Sequence, residues 1–428
     1  MGKKVLLIGQ GGREHALVWK LAQSPEIDEI YAAPGNPGIA ELAACVPIEV
    51  SDTQKLLDFA IQQNIDLTIV GPEVPLMAGI VDRFQARNLC IFGPSAAAAR
   101  LEGSKVFAKN LFKKYGIPTA SYNVCDNLED AYACARFFTD QGKAVVIKVD
   151  GLAAGKGVVV AQNWVEASQA IDSMIKELSF GKAGEKIVIE ECLVGEEVSF
   201  FAVSDGKDYV SLLAAQDHKR IFDNDEGPNT GGMGAYSNPP VYTRELHKVV
   251  LDKVIEPVIK AMAAEGCPYQ GVLYAGLMVT AEGPKVLEFN ARFGDPETQV
   301  LMPMLKGDLF PLLEAAAQGN LKDYRMDIDT GSCVGVVLAS AGYPAAYEKG
   351  KVITGLDKLE VDTLVFHAGT ARKDNLTLTD GGRVMAVVAR GQNIAQAIDK
   401  VYREVAKVHF EGMHYRKDIA SKAVNRKE

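Results

Sequence analysis

The sequence of 428 residues has no long hydrophobic run, no paired cysteine motif and no surplus of positive charge. Near the N-terminus the apolar run 5–8 is short, whereas a membrane helix needs about 20 apolar residues. We therefore expect neither a membrane anchor nor a signal peptide. The formal net charge of −9 argues against sequence-independent binding of nucleic acid, although backbone N–H groups can still bind phosphate locally.

Residues that commonly bind metals or form disulfides are scattered. The seven cysteines include no CxxC pair, so we expect free thiols in a reducing compartment, which predicts a cytoplasmic protein. The six histidines show no pairing, and neither zinc-ligand spacing nor a GxSxG nucleophile elbow occurs. Hydrophobic residues at 48 % and charged residues at 24 % are typical of a folded chain rather than a disordered one.

Glycine is more frequent than usual, because 40 glycines in 428 residues are a larger share than the usual share of about 7 %. Several of them follow predicted strands. Apolar runs at 5–8, 29–33, 67–70 and 89–92 alternate with helical patterns at 14–23, 53–63 and 75–87, which predicts a parallel, Rossmann-like α/β sheet. Ligands of such sheets bind at the carboxyl ends of the strands, where these glycine turns lie.

The rest of the chain predicts two more domains, an α/β unit at 104–330 and a strand-rich domain at 331–428. The first contains a small subdomain at about 120–192, followed by a more antiparallel pattern with a long helix at 244–264. We expect the strands of both domains at 144–149, 158–161, 186–190, 198–203, 209–215, 271–280, 284–289, 332–339, 364–368 and 383–389. A closing helix is predicted near 393–407, and the basic tail, which includes Arg416 and Lys422, is expected to be solvated.

The first glycine turn, Gly9-Gln10-Gly11-Gly12, resembles the start of a dinucleotide-binding fingerprint. Glu14 stands where the last glycine belongs, and the second strand ends at Pro34 without a carboxylate for a ribose. A phosphate or phosphosugar on the turn fits better than NAD, because only backbone N–H groups and the helix dipole are needed. A tight turn that serves packing alone remains the alternative.

A second glycine-rich loop follows the strand that ends near Lys148. Small residues at 150–157, including Gly155 and Gly157, would let the loop lie over phosphates and move as a lid. The loop is not a Walker motif, because Lys156 is followed by glycine rather than by Ser or Thr. A flexible hairpin with exposed lysines remains the other interpretation.

Acidic residues follow two later strands. Glu190 to Leu193 and Glu197 could supply apolar contacts for an adenine and a carboxylate for a ribose, although a charged connecting loop would look the same. Glu288 and Asn290 alternate along one strand and therefore point to one face. Two oxygen ligands on one face suit Mg²⁺ that bridges phosphates, although a polar strand face would also alternate.

The stretch around Asp217 and Lys219 carries dense charge and is followed by four glycines within 227–234. Such a composition makes a poor core. It is what a site for both a carboxylate and a phosphate would need, and a mobile surface loop is the alternative.

Taken together, these stretches resemble the glycinamide ribonucleotide synthetase family of ATP-grasp enzymes over nearly the whole chain. The matching motifs are GGREHAL (11–17), GPE (71–73), GSK (103–105), IKVDGLAAGKGV (147–158), EECLVGEEVS (190–199), AQDHKR (215–220), GPNTGGMGAYS (227–237) and EFNARFGDPETQ (288–299). The last three are the most specific. Val149, Asn238 and Gly276 depart from the usual family or superfamily residues, and Gly276 limits the metal ligands to Glu288 and Asn290.

The resemblance implies a reaction in which ATP, 5-phosphoribosylamine and glycine give glycinamide ribonucleotide, ADP and phosphate. It implies Mg²⁺ or Mn²⁺ on Glu288 and Asn290, and phosphates held by Lys105 and Lys148. The remaining roles that it implies are as follows: Arg292, Asp217 and Lys219 act at the reacting groups, Gly155, Gly157, Glu190, Leu193 and Glu197 bind ATP, and Gly9, Gly11, Gly12, Glu73, Asp217, Lys219 and Asp295 bind the other substrates.

Three other functions remain open on the sequence. They are a different ATP-grasp ligase that uses bicarbonate, a nucleotide-sensing module without turnover, and a dinucleotide-dependent oxidoreductase. Glu14 and Pro34 weigh against the last of these, and a binding module would not need a lid. We expect a cytoplasmic monomer that acts on small molecules, without a nucleic acid or membrane partner.

Overall fold

Three sheets carry the fold of residues 2–151, 157–176 and 186–424, which are the residues that the computed structural model describes. The first sheet has the strands β1 (Lys3–Gly9), β2 (Ile27–Pro34), β3 (Ala44–Cys45), β4 (Leu67–Val70) and β5 (Ile91–Phe92). All pairings are parallel, in the order β3-β2-β1-β4-β5, so the predicted parallel α/β sheet is confirmed. Because β1 lies between β2 and β4, the turns after β1 and β4 meet where the strand order reverses.

Local sequence sets the helices of this first sheet. They are α1 (Gly12–Leu21), α2 (Thr53–Gln63), α3 (Glu73–Met77), α4 (Ile80–Gln85) and α5 (Ala96–Gly103). Asp52 caps α2 by accepting from the Lys55 amide at 3.1 Å, and Asn64 ends it in the left-handed conformation. Gly79, with φ of 77°, divides the predicted helix 75–87 into α3 and α4.

The second sheet is small and antiparallel. It contains β6 (Tyr122–Cys125), β7 (Val145–Val149), β8 (Val158–Ala161) and β9 (Ile187–Glu191) in the order β6-β9-β7-β8. The nearby helices are α6 (Lys105–Tyr115), α7 (Leu128–Thr139) and α8 (Trp164–Ile171), and a π-helical turn, Asp172–Lys176, extends α8. Val145, Ile147 and Ile171 belong to an apolar cluster confined to this unit, so it has its own small core.

The third sheet has eight strands and joins two of the predicted domains. The remaining strands are β10 (Glu196–Asp205), β11 (Tyr209–Asp217), β12 (Arg220–Phe222), β13 (Glu226–Asn229), β14 (Gly234–Ser237), β15 (Gln270–Thr280), β16 (Gly283–Asn290), β17 (Ser332–Ala339), β18 (Leu364–His367), β19 (Thr370–Lys373), β20 (Leu376–Thr379) and β21 (Arg383–Gly391). The order of the sheet is β16-β15-β10-β11-β14-β17-β21-β18, and β12-β13 and β19-β20 form separate hairpins.

Sequence patterns predicted no strand at β14, which lies in the glycine-rich stretch. This strand pairs with β11 on one side and with β17 on the other. The large sheet therefore runs without a break across the expected boundary between residues 330 and 331.

The last helices are α9 (Arg244–Val250), α10 (Glu256–Ala264), α11 (Glu297–Leu301), α12 (Leu309–Gln318), α13 (Ile394–Val405) and α14 (Ser421–Val424). A π-helical turn, Leu251–Ile255, connects α9 and α10 into the long helix predicted at 244–264. No helix within the described ranges has the length and apolar character that crossing a membrane requires.

The first and third sheets share their hydrophobic core. One cluster of buried side chains contains Leu6 and Phe84 from the first sheet layer together with Phe200 and Phe289 from the large sheet. The expected solvation of the basic tail is wrong for Arg416, whose side chain is fully buried among carboxylates. Lys422 also pairs with Asp225, so the tail up to this point is attached to the body of the protein.

Candidate active site

A cleft of about 720 Å³ is lined by residues of the second and third sheets and by residues of α1, α3 and α5, which belong to the first sheet's helices. It brings together most of the site residues predicted from sequence, namely Glu73, Lys105, Lys148, Gly157, Glu190, Leu193, Glu197, Asp217, Lys219, Glu288, Asn290, Arg292 and Asp295. Gly155 lies outside the described residues. Gly9, Gly11 and Gly12 do not line the cleft itself but lie beside it, at the end of β1.

Glu190 on β9 is the counter-ion of two buried lysines. Its carboxylate lies 2.8 Å from Nζ of Lys109 and 3.1 Å from Nζ of Lys148, and all three side chains are less than a tenth exposed. Burial lowers the pKa of Lys109 to about 8, although Glu190 opposes the shift. Lys109 was not among the predicted site residues, because its partner lies 81 positions away in the chain. The triad puts a fixed positive charge at the wall of the cleft.

Lys105 begins α6 and faces the same cleft. Its ammonium donates to the backbone oxygen of Gly151 at 2.9 Å, and burial lowers its pKa while Glu288 opposes that shift. Asp150 accepts from Ser104 Oγ at 3.0 Å and from the Val106 amide at 3.1 Å. The start of the predicted lid loop is thereby tied to the N-terminus of α6, whose dipole favours anions.

Glu288 and Asn290 lie on β16 and line the cleft, as their alternation predicted. Gly276 is paired with Glu288 on the neighbouring strand, so no side chain crowds the carboxylate from that side. Among the described residues, none donates a hydrogen bond to the carboxylate of Glu288, and no group of three His, Cys, Asp or Glu residues is placed to hold a metal. Two oxygen donors suit an ion that takes its other ligands from water and phosphates.

Arg292 lies between two carboxylates. Its Nε is 3.3 Å from Glu73 and one of its terminal nitrogens is 3.4 Å from Glu102. Burial raises the pKa of Glu102, with Arg292 opposing, whereas Arg292 lowers the pKa of Glu73 against the effect of burial. Glu102 was missed from the sequence, because nothing in the pattern around it separates it from a helix-surface acid.

Asp217 ends β11 and Lys219 lies two residues further on, at the rim of the large sheet, with Glu197 of β10 close by. Nζ of Lys219 is 2.6 Å from the Glu197 carboxylate. Burial raises the pKa of Asp217 to about 7, and Lys219 opposes the shift. For Lys219 burial instead disfavours the protonated form, but Asp217 and Glu197 outweigh it and raise the pKa well above the ordinary value. Near neutral pH the cleft therefore contains a fixed ammonium beside a carboxyl group that can exchange a proton.

The glycine turn after β1 is occupied by Glu14. The Gly11 amide donates to the Glu14 carboxylate at 2.7 Å, and Arg13 pairs with the same carboxylate at 2.6 Å. Gly9 has φ of 134°, and a side chain there would lie 2.4 Å from Glu14. Glu14 thus fills the place where a dinucleotide-binding turn needs its last glycine, which explains the departure from the fingerprint.

Two further polar groups of the cleft, Glu297 and Arg383, were not predicted. Glu297 accepts from Tyr274 Oη at 2.5 Å and from Ser199 Oγ at 3.4 Å, and it is almost fully buried. It lies in the motif 288–299, so its position in that specific stretch was the available signal. A buried acid with two hydroxyl donors is held in one orientation beside Asp217.

Arg383 brings the C-terminal region into the cleft. Its guanidinium donates to the backbone oxygens of Gly231 at 2.6 Å and Asp295 at 2.9 Å, and lies 3.3 Å from the Asp295 carboxylate. No sequence motif pointed to Arg383, because it stands at the start of a strand in a stretch with no recognised pattern. It holds Asp295 and the glycine loop in one arrangement.

These features define the class of the protein. A small antiparallel sheet and a large one enclose a cleft lined with lysines and with oxygen donors. Residues 103–298 match a family model described as phosphoribosylglycinamide synthetase, ATP-grasp (A) domain. The same architecture occurs in a biotin carboxylase from Campylobacter jejuni, with a TM-score of 0.74 at 14 % identity over 99 % of this chain and 95 % of the other. The chain is therefore an ATP-grasp protein.

The chain belongs to the phosphoribosylglycinamide synthetase family. Models of its N domain and C domain match residues 3–102 and 333–422. Phosphoribosylamine–glycine ligase from Pseudomonas aeruginosa is 51 % identical over 99 % of this chain and 98 % of its own, and that from Halalkalibacterium halodurans is 50 % identical over 98 % and 97 %. The crystal structure of the Thermotoga maritima ligase gives a TM-score of 0.83 at 35 % identity, covering 97 % of this chain and 100 % of that one. The resemblance drawn from the motifs is confirmed, and the chain is an ATP-using ligase.

Proposed function

We propose that this chain joins glycine to 5-phosphoribosylamine at the expense of ATP, giving glycinamide ribonucleotide, ADP and phosphate, a step of de novo purine biosynthesis. The observation that supports this most strongly is that a single cleft contains cations for phosphates, two oxygen donors for a metal and the Asp217–Lys219 pair. The relatives that carry the name phosphoribosylamine–glycine ligase match the chain over almost its full length.

The chemistry requires activation of the glycine carboxylate, because a carboxylate resists attack by an amine. ATP transfers its γ-phosphoryl group to a carboxylate oxygen, which gives glycyl phosphate and ADP. The nitrogen of phosphoribosylamine then forms a bond to the acyl carbon, and the C–O bond to phosphate breaks with its electron pair leaving on phosphate. Such transfers depend on positioning and charge neutralisation more than on a protein nucleophile.

The cations of the cleft are suited to the phosphates. Lys105 at the start of α6 and Lys148 on β7 would contact the phosphates of ATP. Arg292 would stabilise the transferred phosphoryl group and the acyl phosphate. Its two carboxylate partners, Glu73 and Glu102, hold the guanidinium in place, so little reorganisation is needed when the substrate binds.

Glu288 and Asn290 fit Mg²⁺ or Mn²⁺, since both offer oxygen from one strand to the cleft and the Glu288 carboxylate accepts no hydrogen bond among the described residues. When bound, such an ion neutralises phosphate oxygens and aligns the transferred group. The chain's part is to supply these two oxygens at a fixed spacing, with Lys105 nearby.

Asp217 and Lys219 would act on the second half of the reaction. Lys219 remains protonated and is suited to contact the glycine carboxylate or the acyl phosphate. Asp217 has a pKa of about 7 and can accept the proton that the attacking amine loses. The sequence alone had suggested no general base, and this geometry makes Asp217 the candidate.

The remaining predicted contacts keep their proposed roles. Glu190, Leu193 and Glu197 would form the adenine and ribose end, with Gly157 and the lid loop above the phosphates. Gly9, Gly11 and Gly12, with Glu73 and Asp295, would bind phosphoribosylamine. Closure of the loop at 150–157 would exclude water, which hydrolyses acyl phosphates.

We also propose that the enzyme works as a monomer in the cytoplasm.

The first experiment is to measure ADP release from the purified chain with ATP and Mg²⁺, omitting glycine or phosphoribosylamine in turn. Release that requires both substrates supports the proposal. Release with bicarbonate or with another acid in place of glycine would contradict the named reaction while leaving the phosphate contacts intact. If the chain binds ATP but releases no ADP with any pair of acid and amine substrates, it is a binding module instead.

A further inference from the structure

The hairpin β12–β13 forms one rim of the cleft and follows directly after Lys219. The C-terminal end of the hairpin lines the cleft through Asn229, Thr230 and Gly231. Thr230 closes the hairpin, because its amide donates to the Lys219 oxygen at 2.7 Å and its hydroxyl donates to the same oxygen at 2.8 Å. The place of the Lys219 backbone thus depends on how the hairpin is held.

The hairpin has little support of its own. Its two strands are paired only at Arg220 with Asn229 and at Phe222 with Glu226, with an irregular register between the two pairs. Four of these residues are exposed, and Ile221 is the hairpin's buried apolar side chain. An isolated two-stranded hairpin is marginally stable in water, so an external anchor is required.

Arg416 supplies this anchor from the C-terminal segment. One terminal nitrogen donates to the Arg220 oxygen at 3.1 Å and to Asp225 at 2.8 Å, which joins the first strand of the hairpin to its turn. The rest of the guanidinium makes a two-point pair with Asp418 at 2.8 and 2.6 Å. Asp418 in turn accepts from the Asn224 amide at 2.9 Å. Arg416 therefore contacts the first strand and the turn, directly and through Asp418.

Neighbouring residues of the same segment reinforce the contact. His414 Nε2 lies 2.9 Å from the Ile221 oxygen, the Lys417 amide donates to Asp223 at 2.8 Å, and Lys422 pairs with Asp225 at 2.5 Å. The segment is itself fixed to α13, because Tyr402 Oη donates to the Arg416 oxygen at 2.9 Å. Contacts thus run from α13 through the segment and the hairpin to Lys219.

We propose that Arg416 is a positioning residue for Lys219, acting through the hairpin β12–β13 and without touching the substrates. The four hydrogen bonds that its guanidinium donates go to the hairpin or to Asp418, and among the described residues the guanidinium reaches no part of the cleft wall other than the hairpin. As a role in catalysis, the inference rests on the proposed ligase function. The holding of the hairpin itself does not depend on that function.

The test compares Arg416→Lys and Asp418→Asn with Arg390→Lys as a matched control in the full chain. Arg390 lies on β21 and makes an exposed ion pair with Asp329 at 2.5 Å. This pair includes no residue of the hairpin. A lysine at 416 keeps the charge but cannot bridge Asp418 at two points and also reach Arg220. Asp418→Asn loosens the same bridge while Arg416 keeps Asp225, so one variant remains informative if the other fails to fold.

Two measurements distinguish positioning from general stability. Hydrogen exchange at the amides of residues 220–230 should become at least about tenfold faster in both variants, with protection of α13 and β17 unchanged. The kcat with glycine and phosphoribosylamine should fall by about tenfold or more, while the KM for ATP stays within about twofold. The control should match the unaltered chain in both measurements.

Unchanged exchange at residues 220–230 in both variants would overturn the anchoring role. Faster exchange with unchanged kcat would overturn the link to Lys219. A fall in kcat that is accompanied by a higher KM for ATP and a lower global melting temperature would also overturn this link, because it would indicate that Arg416 is a purely structural residue. If the unaltered chain shows no ligase activity, the proposed function fails, and the exchange comparison still decides whether Arg416 holds the hairpin.

Discussion

Replacing Glu190 by glutamine tests the lysine triad at the wall of the cleft. The substitution keeps the shape of the side chain but removes the charge that two buried ammonium groups share, at 2.8 Å from Lys109 and 3.1 Å from Lys148. The glutamine oxygen can accept from one lysine, and its NH₂ group then faces the other. Breaking a buried ion pair from one side typically costs about 3–5 kcal/mol. We expect a loss of this size in the free energy of unfolding.

The size of the effect on melting follows from the length of the chain. At about 2.1 cal/mol/K per residue, 428 residues unfold with an entropy of roughly 0.9 kcal/mol/K. A loss of about 3–5 kcal/mol therefore lowers the Tm by roughly 3–6 °C if the chain melts as one unit. Calorimetry on the purified variant measures this directly.

The pH dependence gives a second, independent signature. In the folded chain burial already lowers the pKa of Lys109 to about 8, and loss of Glu190 removes the main group that opposes this shift. The unfolded chain keeps the proton up to the ordinary pKa of about 10.4, so it binds more protons than the folded state between the two values. Stability then rises with pH in this window, and in Glu190→Gln the window begins at a lower pH. The deficit of the variant should therefore shrink as the pH approaches 8 from below.

Glu191→Gln is the matched control, because Glu191 is the next residue on the same strand and its side chain is about a third exposed. It pairs with Lys285 only at 3.8 Å, so its removal should cost less than about 1 kcal/mol. A Glu190→Gln chain that melts with the control, or a deficit that stays constant with pH, would refute the account of the triad.

Three further predictions follow from the cleft. Arg383→Lys should raise the KM for phosphoribosylamine by about tenfold, because an ammonium cannot hold Asp295 and Gly231 together, and steady-state kinetics would contradict this if the KM were unchanged. Asp217→Asn should remove the rise of kcat through a pH of about 7, and a profile that keeps this limb would exclude Asp217 as the proton acceptor. Glu288→Gln should cut kcat by about a hundredfold or more and raise the Mg²⁺ concentration needed for half-maximal rate, whereas near-normal turnover at saturating Mg²⁺ would reject the metal role.

Much of the fold was predictable because its signals are local. The helix Thr53–Gln63 and the strands Leu67–Val70 and Val158–Ala161 have the predicted bounds, since caps, glycines and apolar periodicity set them within a few residues. The strand Gly234–Ser237 was missed for the same reason. Its composition is that of a loop, and only its pairing with two neighbouring strands makes it extended.

The candidate site was predictable where chemistry and spacing coincide. Alternation along a strand placed Glu288 and Asn290 on one face, and the cleft contains both. Glu190 was predicted to contact ATP, and in the structure its carboxylate pairs with Lys109 and Lys148. The two lysines that pair with the Glu190 carboxylate come from distant segments of the chain, so no local sequence pattern predicts them.

The sequence by itself determined most of the strands, several of the helices, the glycine turns at the strand ends and the family of the protein. Tertiary structure alone decided that Arg383 reaches Asp295 across the cleft and that the basic tail enters the body of the protein through Arg416. The physical reason is that periodicity and capping act over a few residues, whereas ion pairs act between groups that only packing of the sheets brings within about 4 Å.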